Sequence, residues 1–259
     1  FYSIFRLINF PKNSAILLSV LLYILPETLA FFNNFGIIEL NTFARNFYVL
    51  RFPRPFISNL LFFIFIYTLV KSHLSNSIFL SKNLFVLALI FGLSLSSFFF
   101  VFLTQAITFI LYLIISYKKK VFKFININIK KILYSLVIFL LITLPFFFLV
   151  LNTNPDYSER MGIINISFSD KVFLLKHYLY KLFRIKLVII YIFLFLSYFF
   201  MKKFNNINLK YIHVFYILFI SSLISPLIFI LFSNKVAFLY HFNNTVVVCL
   251  GLLVLMLIL

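Results

Sequence analysis

Residues Asn83–Tyr117 run for 35 positions without one charged side chain and end on Lys118, Lys119 and Lys120. As a single helix this run would be about 50 Å long at 1.5 Å per residue. The hydrocarbon core of a bilayer is about 30 Å thick, so the run is far too long for one crossing. Two short crossings fit it better. The expectation is a helical hairpin turning near Phe100–Gln105.

The rest of the chain has the same character. Further apolar spans lie at Ser14–Phe32, Phe56–Val70, Ile132–Leu151, Leu187–Met201, Tyr211–Ser233 and Thr245–Leu259. The chain is 64% hydrophobic and only 11% charged, whereas a soluble domain carries about 25% charged residues. The fold class expected is all-α: a polytopic transmembrane bundle of about eight helices in one domain, 1–259. The chain opens on Phe1 and closes on Leu259 inside an apolar run, and it reads as a fragment of a longer chain. There are 41 phenylalanines, no tryptophan and 4 glycines, which reads as an A/T-rich coding bias. The Phe stripes are therefore read as lipid-facing filler, not as a ligand box. The lone Cys249 permits no disulfide or Cys-metal site within one chain.

Basic residues set the orientation, because cytoplasmic loops carry excess Lys and Arg. With a hairpin at 83–117, Arg6, Lys12, Lys71, Lys82, the lysines at 118–120, 123, 130 and 131, and Lys202, Lys203 and Lys210 share one face. That face then holds 13 basic residues and no acid. The opposite face holds all five acids: Glu27, Glu39, Asp156, Glu159 and Asp170. The Lys-rich face is accordingly read as cytoplasmic. The net charge of +18 is assigned to loop and headgroup contacts, and no nucleic-acid partner is expected.

Three outer segments carry polar residues of interest. In "RFPRPF", Arg51 and Arg54 sit where the chain re-enters the bilayer. Pro55 suits the first turn of the following helix, where a missing N–H costs little. With Arg45, these arginines oppose the positive-inside preference, which marks them as holders of an anion. In "NTNPDYSERMGIINISFSDK", Asp156, Glu159 and Arg160 form a cluster that could orient a sugar, serve as a base or bind a divalent cation. A solvated turn-rich loop is the alternative. Ser169–Lys186 reads as an amphipathic helix in the membrane interface, capped by Ser169 or Asp170. Val172, Leu175, Leu179, Leu182 and Phe183 share its apolar face, and His177, Lys181 and Arg184 lie opposite. Its cations would contact lipid phosphates or the phosphate of a lipid-linked substrate. No His pair has haem or zinc spacing, with His73 and His241 placed in loops. No intramembrane acid or lysine suggests a proton relay. Two Asn-x-Ser/Thr matches, at Asn165 and Asn243, carry little weight in an Asn-rich chain.

Three features in order resemble a known layout. They are "FYSIFRLINFPKNSAILLSVLLYILPE", the entry "RFPRPFISNLLFFIFIYTLVK", and the hairpin "NLFVLALIFGLSLSSFFFVFLTQAITFILYLIISYKKK" with its Phe91-Gly92-Leu93. Over roughly the first half of the chain this is similar to the C-type superfamily of polytopic membrane glycosyltransferases. The resemblance implies transfer of a sugar from a polyprenyl-phosphate donor on the outer face, in a bacterial inner membrane. An acid in the first outer loop would be the base, and that loop would precede Phe1. Arg51 and Arg54 would hold the donor phosphate, since a guanidinium makes bidentate contacts to phosphate oxygens. Asp156 and Glu159 would lie on the acceptor or metal side. Partners expected are membrane lipids and the polyprenyl-phosphate-linked sugar, with a divalent metal left open as cofactor. The alternatives are a transporter or flippase for lipid-linked sugars, or a structural subunit of a membrane complex.

Overall fold

The structure is a computed structural model. It describes residues 2–7, 9–17, 19–20, 56–151, 164–183, 185–203, 209–233, 235–236, 242, 246, 249 and 252–253. These residues are helical apart from their connections and one two-residue antiparallel β pair. Among them, Ile57–Leu74, Phe99–Tyr117, Ile129–Leu149 and Ile212–Phe232 are long and apolar enough to cross a membrane. Ser81–Ser97 and Tyr191–Phe200 are shorter apolar stretches. The chain is thus a helical membrane protein. Most of the expected span Ser14–Phe32, and most of Thr245–Leu259, lie outside the described residues. The chain divides into two compact units, Phe1–Phe147 and Phe148–Leu259.

The first unit opens with helix α1 (Tyr2–Leu7). Its end is fixed by Asn9 at φ 66°, a left-handed position that Asn tolerates better than most side chains. Asn9 N–H donates to the Arg6 carbonyl and Phe10 N–H to that of Phe5, and the Phe5 and Phe10 rings meet edge to face. This is a Schellman stop with its hydrophobic contact. Helix α2 (Phe56–Leu74) ends the same way, with Asn76 at φ 47° and Ser77 N–H donating to the Ser72 carbonyl. In a chain with 4 glycines, asparagine takes the place glycine usually fills.

Helices α3 (Ser81–Ser97) and α4 (Phe99–Tyr117) follow, broken only at Phe98. The turn therefore falls ahead of the expected Phe100–Gln105. Phe98 is extended (φ −156°, ψ 91°), and its N–H makes the last bond, to the Ser94 carbonyl. Ser96 Oγ donates to the Gly92 carbonyl and Ser97 Oγ to that of Ser94, so hydroxyls occupy carbonyls at the end of the ladder. The chain does double back. Phe91 of α3 meets both Phe102 and Phe109 of α4. Phe65 of α2 packs on Phe91, and α2, α3 and α4 form one three-helix core.

After α4, the lysine turn Lys118–Lys120 leads into α5 (Val121–Ile127). Phe79, from the α2–α3 connection, touches both Tyr117 and Phe124. Tyr117 and Phe124 also meet each other. The α2–α3 connection and the lysine turn therefore sit at one end of the core, as the charge pattern requires. Helix α6 (Ile129–Leu151) touches both α3 and α4. Phe139 stacks on Phe102. A methyl group at Gly92 would come within 2.8 Å of Ile142 Cγ2, so the seam exists because residue 92 has no side chain.

The second unit holds the strand β1 (Ile164–Asn165), helices α7 (Phe168–Leu182), α8 (Ile185–Lys203) and α9 (Leu209–Phe232), and the strand β2 (Lys235–Val236). Ile164 pairs with Val236 and Asn165 with Lys235. Helix α7 packs against α9. Tyr191 and Leu194 of α8 face Phe219 and Tyr216 of α9, so α8 and α9 run antiparallel.

Candidate functional site

The described part of the expected site is helix α7. Its start is a reciprocal capping pair. Asp170 N–H donates to Ser167 Oγ at 3.2 Å, while Ser167 N–H donates to Asp170 Oδ2 at 3.1 Å. The Ser167 hydroxyl also donates to Asp170 Oδ2 at 2.6 Å. Ser167-x-x-Asp170 is thus a capping box. The cap is Ser167 in place of the expected Ser169 or Asp170, with Asp170 serving at the third helical position. The Ser167 hydroxyl, and then its N–H, hold the Asp170 carboxyl below the usual carboxylate range.

The faces of α7 sort cleanly. Val172, Leu175, Leu179 and Leu182 are half-buried, as the spacing predicts. Phe183 departs from that stripe: it lies past the last helical residue and is exposed. The stripe also contains Tyr178, one turn from Leu175 and Leu182. Its hydroxyl donates to the Leu223 carbonyl of α9 at 3.0 Å. Burial, and then the neighbouring Tyr191, push that hydroxyl above the usual tyrosine range. Three residues on, Pro226 stands inside α9. It has no N–H to give the Ser222 carbonyl, so the helical ladder opens there. The adjacent carbonyl takes the Tyr178 hydroxyl. Sequence periodicity assigned the apolar stripe to the membrane interface, but the structure packs it on protein.

The opposite side of α7 carries more than cations. Phe173 and Tyr180 are each 69% exposed, two turns apart, with exposed Lys176 and His177 between them. His177 lies parallel to the Phe173 ring, centroids 6.3 Å apart. Lys181 belongs to the last turn of α7. Arg51, Arg54, Asp156, Glu159, Arg160 and Arg184 lie outside the described residues. His73 is not in a loop: it closes the last turn of α2, with Nδ1 3.0 Å from the Tyr112 hydroxyl. His241 is outside the described residues. Among the described residues, no three His, Cys, Asp or Glu side chains gather as metal ligands.

A second polar feature lies inside the first unit. Gln105, in the middle of the apolar α4, is fully buried. Its Nε2 donates to the Leu61 carbonyl of α2 at 3.4 Å, and its Oε1 has no partner. Ser94 of α3 and Ser58 of α2 are also buried with unpartnered hydroxyls. Leu61 stands about one turn before Phe65, and Ser94 about one turn after Phe91. Since Phe65 packs on Phe91, Ser94 lies level with the Leu61 carbonyl that Gln105 reaches. The one glutamine in an uncharged 35-residue run was the sequence signal for this cluster.

No protein-family model, curated protein or solved structure matches this chain.

Proposed function

We propose that this chain belongs to a membrane glycosyltransferase that moves a sugar from a polyprenyl-phosphate donor on the outer face of a bacterial plasma membrane. The observation that supports this reading is the doubling-back of residues 83–117 into an antiparallel pair beside α2. That arrangement is the third element of the layout on which the resemblance rests, and Gly92 of its Phe-Gly-Leu lies in the seam with α6. In the reaction, an acceptor hydroxyl attacks the anomeric carbon of the sugar. The bond from that carbon to the phosphate oxygen breaks, and polyprenyl phosphate leaves with the electron pair. The hydroxyl proton passes to a carboxylate, which in this layout comes from the first outer loop. Arg51 and Arg54 would neutralise the leaving phosphate.

The test is sugar release from a polyprenyl-phosphate donor by the full-length protein in proteoliposomes. Release is expected, and Arg54→Ala should weaken donor binding by about ten- to a hundred-fold, the range for losing one hydrogen bond to a charged group. Protein level should stay near that of the parent. Intact donor carried across the bilayer without cleavage would sink this reading in favour of transport.

A further inference from the structure

Two ties hold α7 against α9. Just ahead of α7 and just beyond α9, Ile164 pairs with Val236 and Asn165 with Lys235. Further along, the Tyr178 hydroxyl donates to the Leu223 carbonyl. Phe168 to Tyr178 is about 15 Å of helix rise, and Leu223 to Phe232 is about 14 Å. Two helical lengths that match and are joined at both ends lie side by side. Helix α7 therefore runs antiparallel along the Phe232 half of α9. Leu223 stands near the middle of the apolar span Ile212–Phe232, so α7 reaches from one end of that span to its middle.

Helix α8 takes up where α7 stops. The Tyr216 hydroxyl donates to the Leu194 carbonyl, which puts these residues level. Ile185 lies about 14 Å back along α8 from Leu194, and the same rise forward from Tyr216 reaches Ser225, close to Leu223. In the other direction α8 continues to Lys203, beside the Leu209 half of α9. One half of α9 is thus accompanied by α7 and the other by α8, with the break between Leu182 and Ile185.

This arrangement puts charge at depth. Lys176 and His177 are exposed on α7, about 12–14 Å of rise past Phe168. Half of a hydrocarbon core is about 15 Å. The stem of Lys176 is too short to lift its ammonium back to the headgroups. Acyl chains solvate a cation poorly, and intramembrane cations face a bundle interior or a water-filled cavity. A protein cover would need an acid to pair the charge. Asp170 is the one acid among the described residues, and Ser167 binds its carboxylate into the cap. Water is the solvent that remains, and a wet wall of this charge draws anions.

We propose that α7 and α8 form one broken crossing, and that the exposed face of α7 lines a water-filled, anion-attracting vestibule reaching the middle of the membrane. The vestibule does not depend on glycosyl transfer.

The test uses single cysteines in the full-length Cys249→Ser protein, held in sealed vesicles. His177→Cys should react with impermeant methanethiosulfonates from the same side as Ser169→Cys at the start of α7. The anionic ethylsulfonate reagent should be favoured over the cationic trimethylammonium reagent about five-fold more at 177 than at 169. Adding Lys176→Gln should reduce that preference. Phe173→Cys reads the same face one turn nearer the entrance, should the first variant fold poorly. No modification at either position overturns the proposal, since lipid or protein then covers the face. Modification without anion preference, or from the side opposite Ser169→Cys, overturns it too. The chain has no tryptophan, so Leu231→Trp, exposed near the Phe232 end of α9, reports whether that half is immersed. Blue-shifted emission is expected. Water-like emission would put this half of α9, and α7 with it, outside the membrane, and the vestibule would be wrong.

Discussion

Replacing Gly92 by alanine tests how the first unit is assembled. The added methyl would stand 2.8 Å from Ile142 Cγ2, 3.0 Å from its Cβ and 3.5 Å from its Cδ1. Carbon atoms rest comfortably at about 3.5–4.0 Å. A rotamer change in Ile142 moves Cγ2 and Cδ1, but Cβ is fixed to the backbone of α6. Relief therefore requires α6 to retreat by roughly 0.5–1 Å, which also loosens the Phe102–Phe139 stack. Such overpacking costs about 1–3 kcal/mol. Alanine offsets part of this through its better helix propensity, worth about 0.5–1 kcal/mol over glycine. The expected outcome is a net loss of about 1 kcal/mol, the two terms being close enough that the sign is informative.

The assay is thermal inactivation of the detergent-solubilised protein, followed as the surviving monodisperse fraction on size exclusion. Gly92→Ala should lose that fraction at a lower temperature than the parent. Gly92→Leu should be worse, because its branches reach further into α6. Combining Gly92→Ala with Ile142→Ala should recover part of the loss, since Cγ2 and Cδ1 are gone while the 3.0 Å contact to Cβ remains. Such pairwise recovery is what residues in direct contact show. A Gly92→Ala protein as stable as the parent, or more so, would refute the close α3–α6 seam.

Gln105→Met should keep or raise thermal survival, since the buried Oε1 has no partner and leaving such a group unpaired costs about 1–3 kcal/mol; a clear loss of survival would show that Gln105 is satisfied in the membrane. For Asp170, the folded pKa lies below the ordinary 3.8. Its contribution to the cap is therefore full above the usual carboxylate range and disappears as pH falls through the lower folded value. The Asp170 side-chain carbon resonance should titrate below 3.8 and move back up in Ser167→Ala; an unchanged midpoint would remove Ser167 as the cause. Single cysteines replacing Ser75 and Lys120, in a Cys249→Ser background, should both be labelled by an impermeant reagent from the same side of the membrane. Labelling from opposite sides would break the α3–α4 hairpin.

The hairpin was legible because its warrant is length: an uncharged 35-residue run is too long for one crossing. The position of its turn was not legible. Ser96 donates its hydroxyl to the carbonyl four residues back, and α3 ends one residue later. Ser225 does the same to Ser221, and α9 continues for almost two more turns. One local interaction thus occurs in a helix that stops and in a helix that does not. The difference lies in the tertiary packing of Phe91 against Phe102 and Phe109, which no window of sequence contains. The asparagine helix ends are intermediate. Asn9 is followed closely by Pro11, a readable stop, whereas Asn76 is recognised only by its backbone.

Helix α7 shows what periodicity leaves undecided. The spacing of Val172, Leu175, Leu179 and Leu182 predicts an apolar stripe, and the stripe exists. Spacing does not say whether lipid or protein covers it. Tyr178 decides the matter, because a tyrosine on an apolar stripe must find an acceptor for its hydroxyl once it is buried. Acyl chains offer none, and most carbonyls of a neighbouring span are engaged in their own helix. Tyr178 finds its acceptor in the Leu223 carbonyl of α9, a second bond on an oxygen with two lone pairs. A tyrosine on an apolar stripe is thus a reason to look for a protein neighbour with a reachable carbonyl, and the packing of α7 on α9 leaves Phe173, Lys176, His177 and Tyr180 exposed.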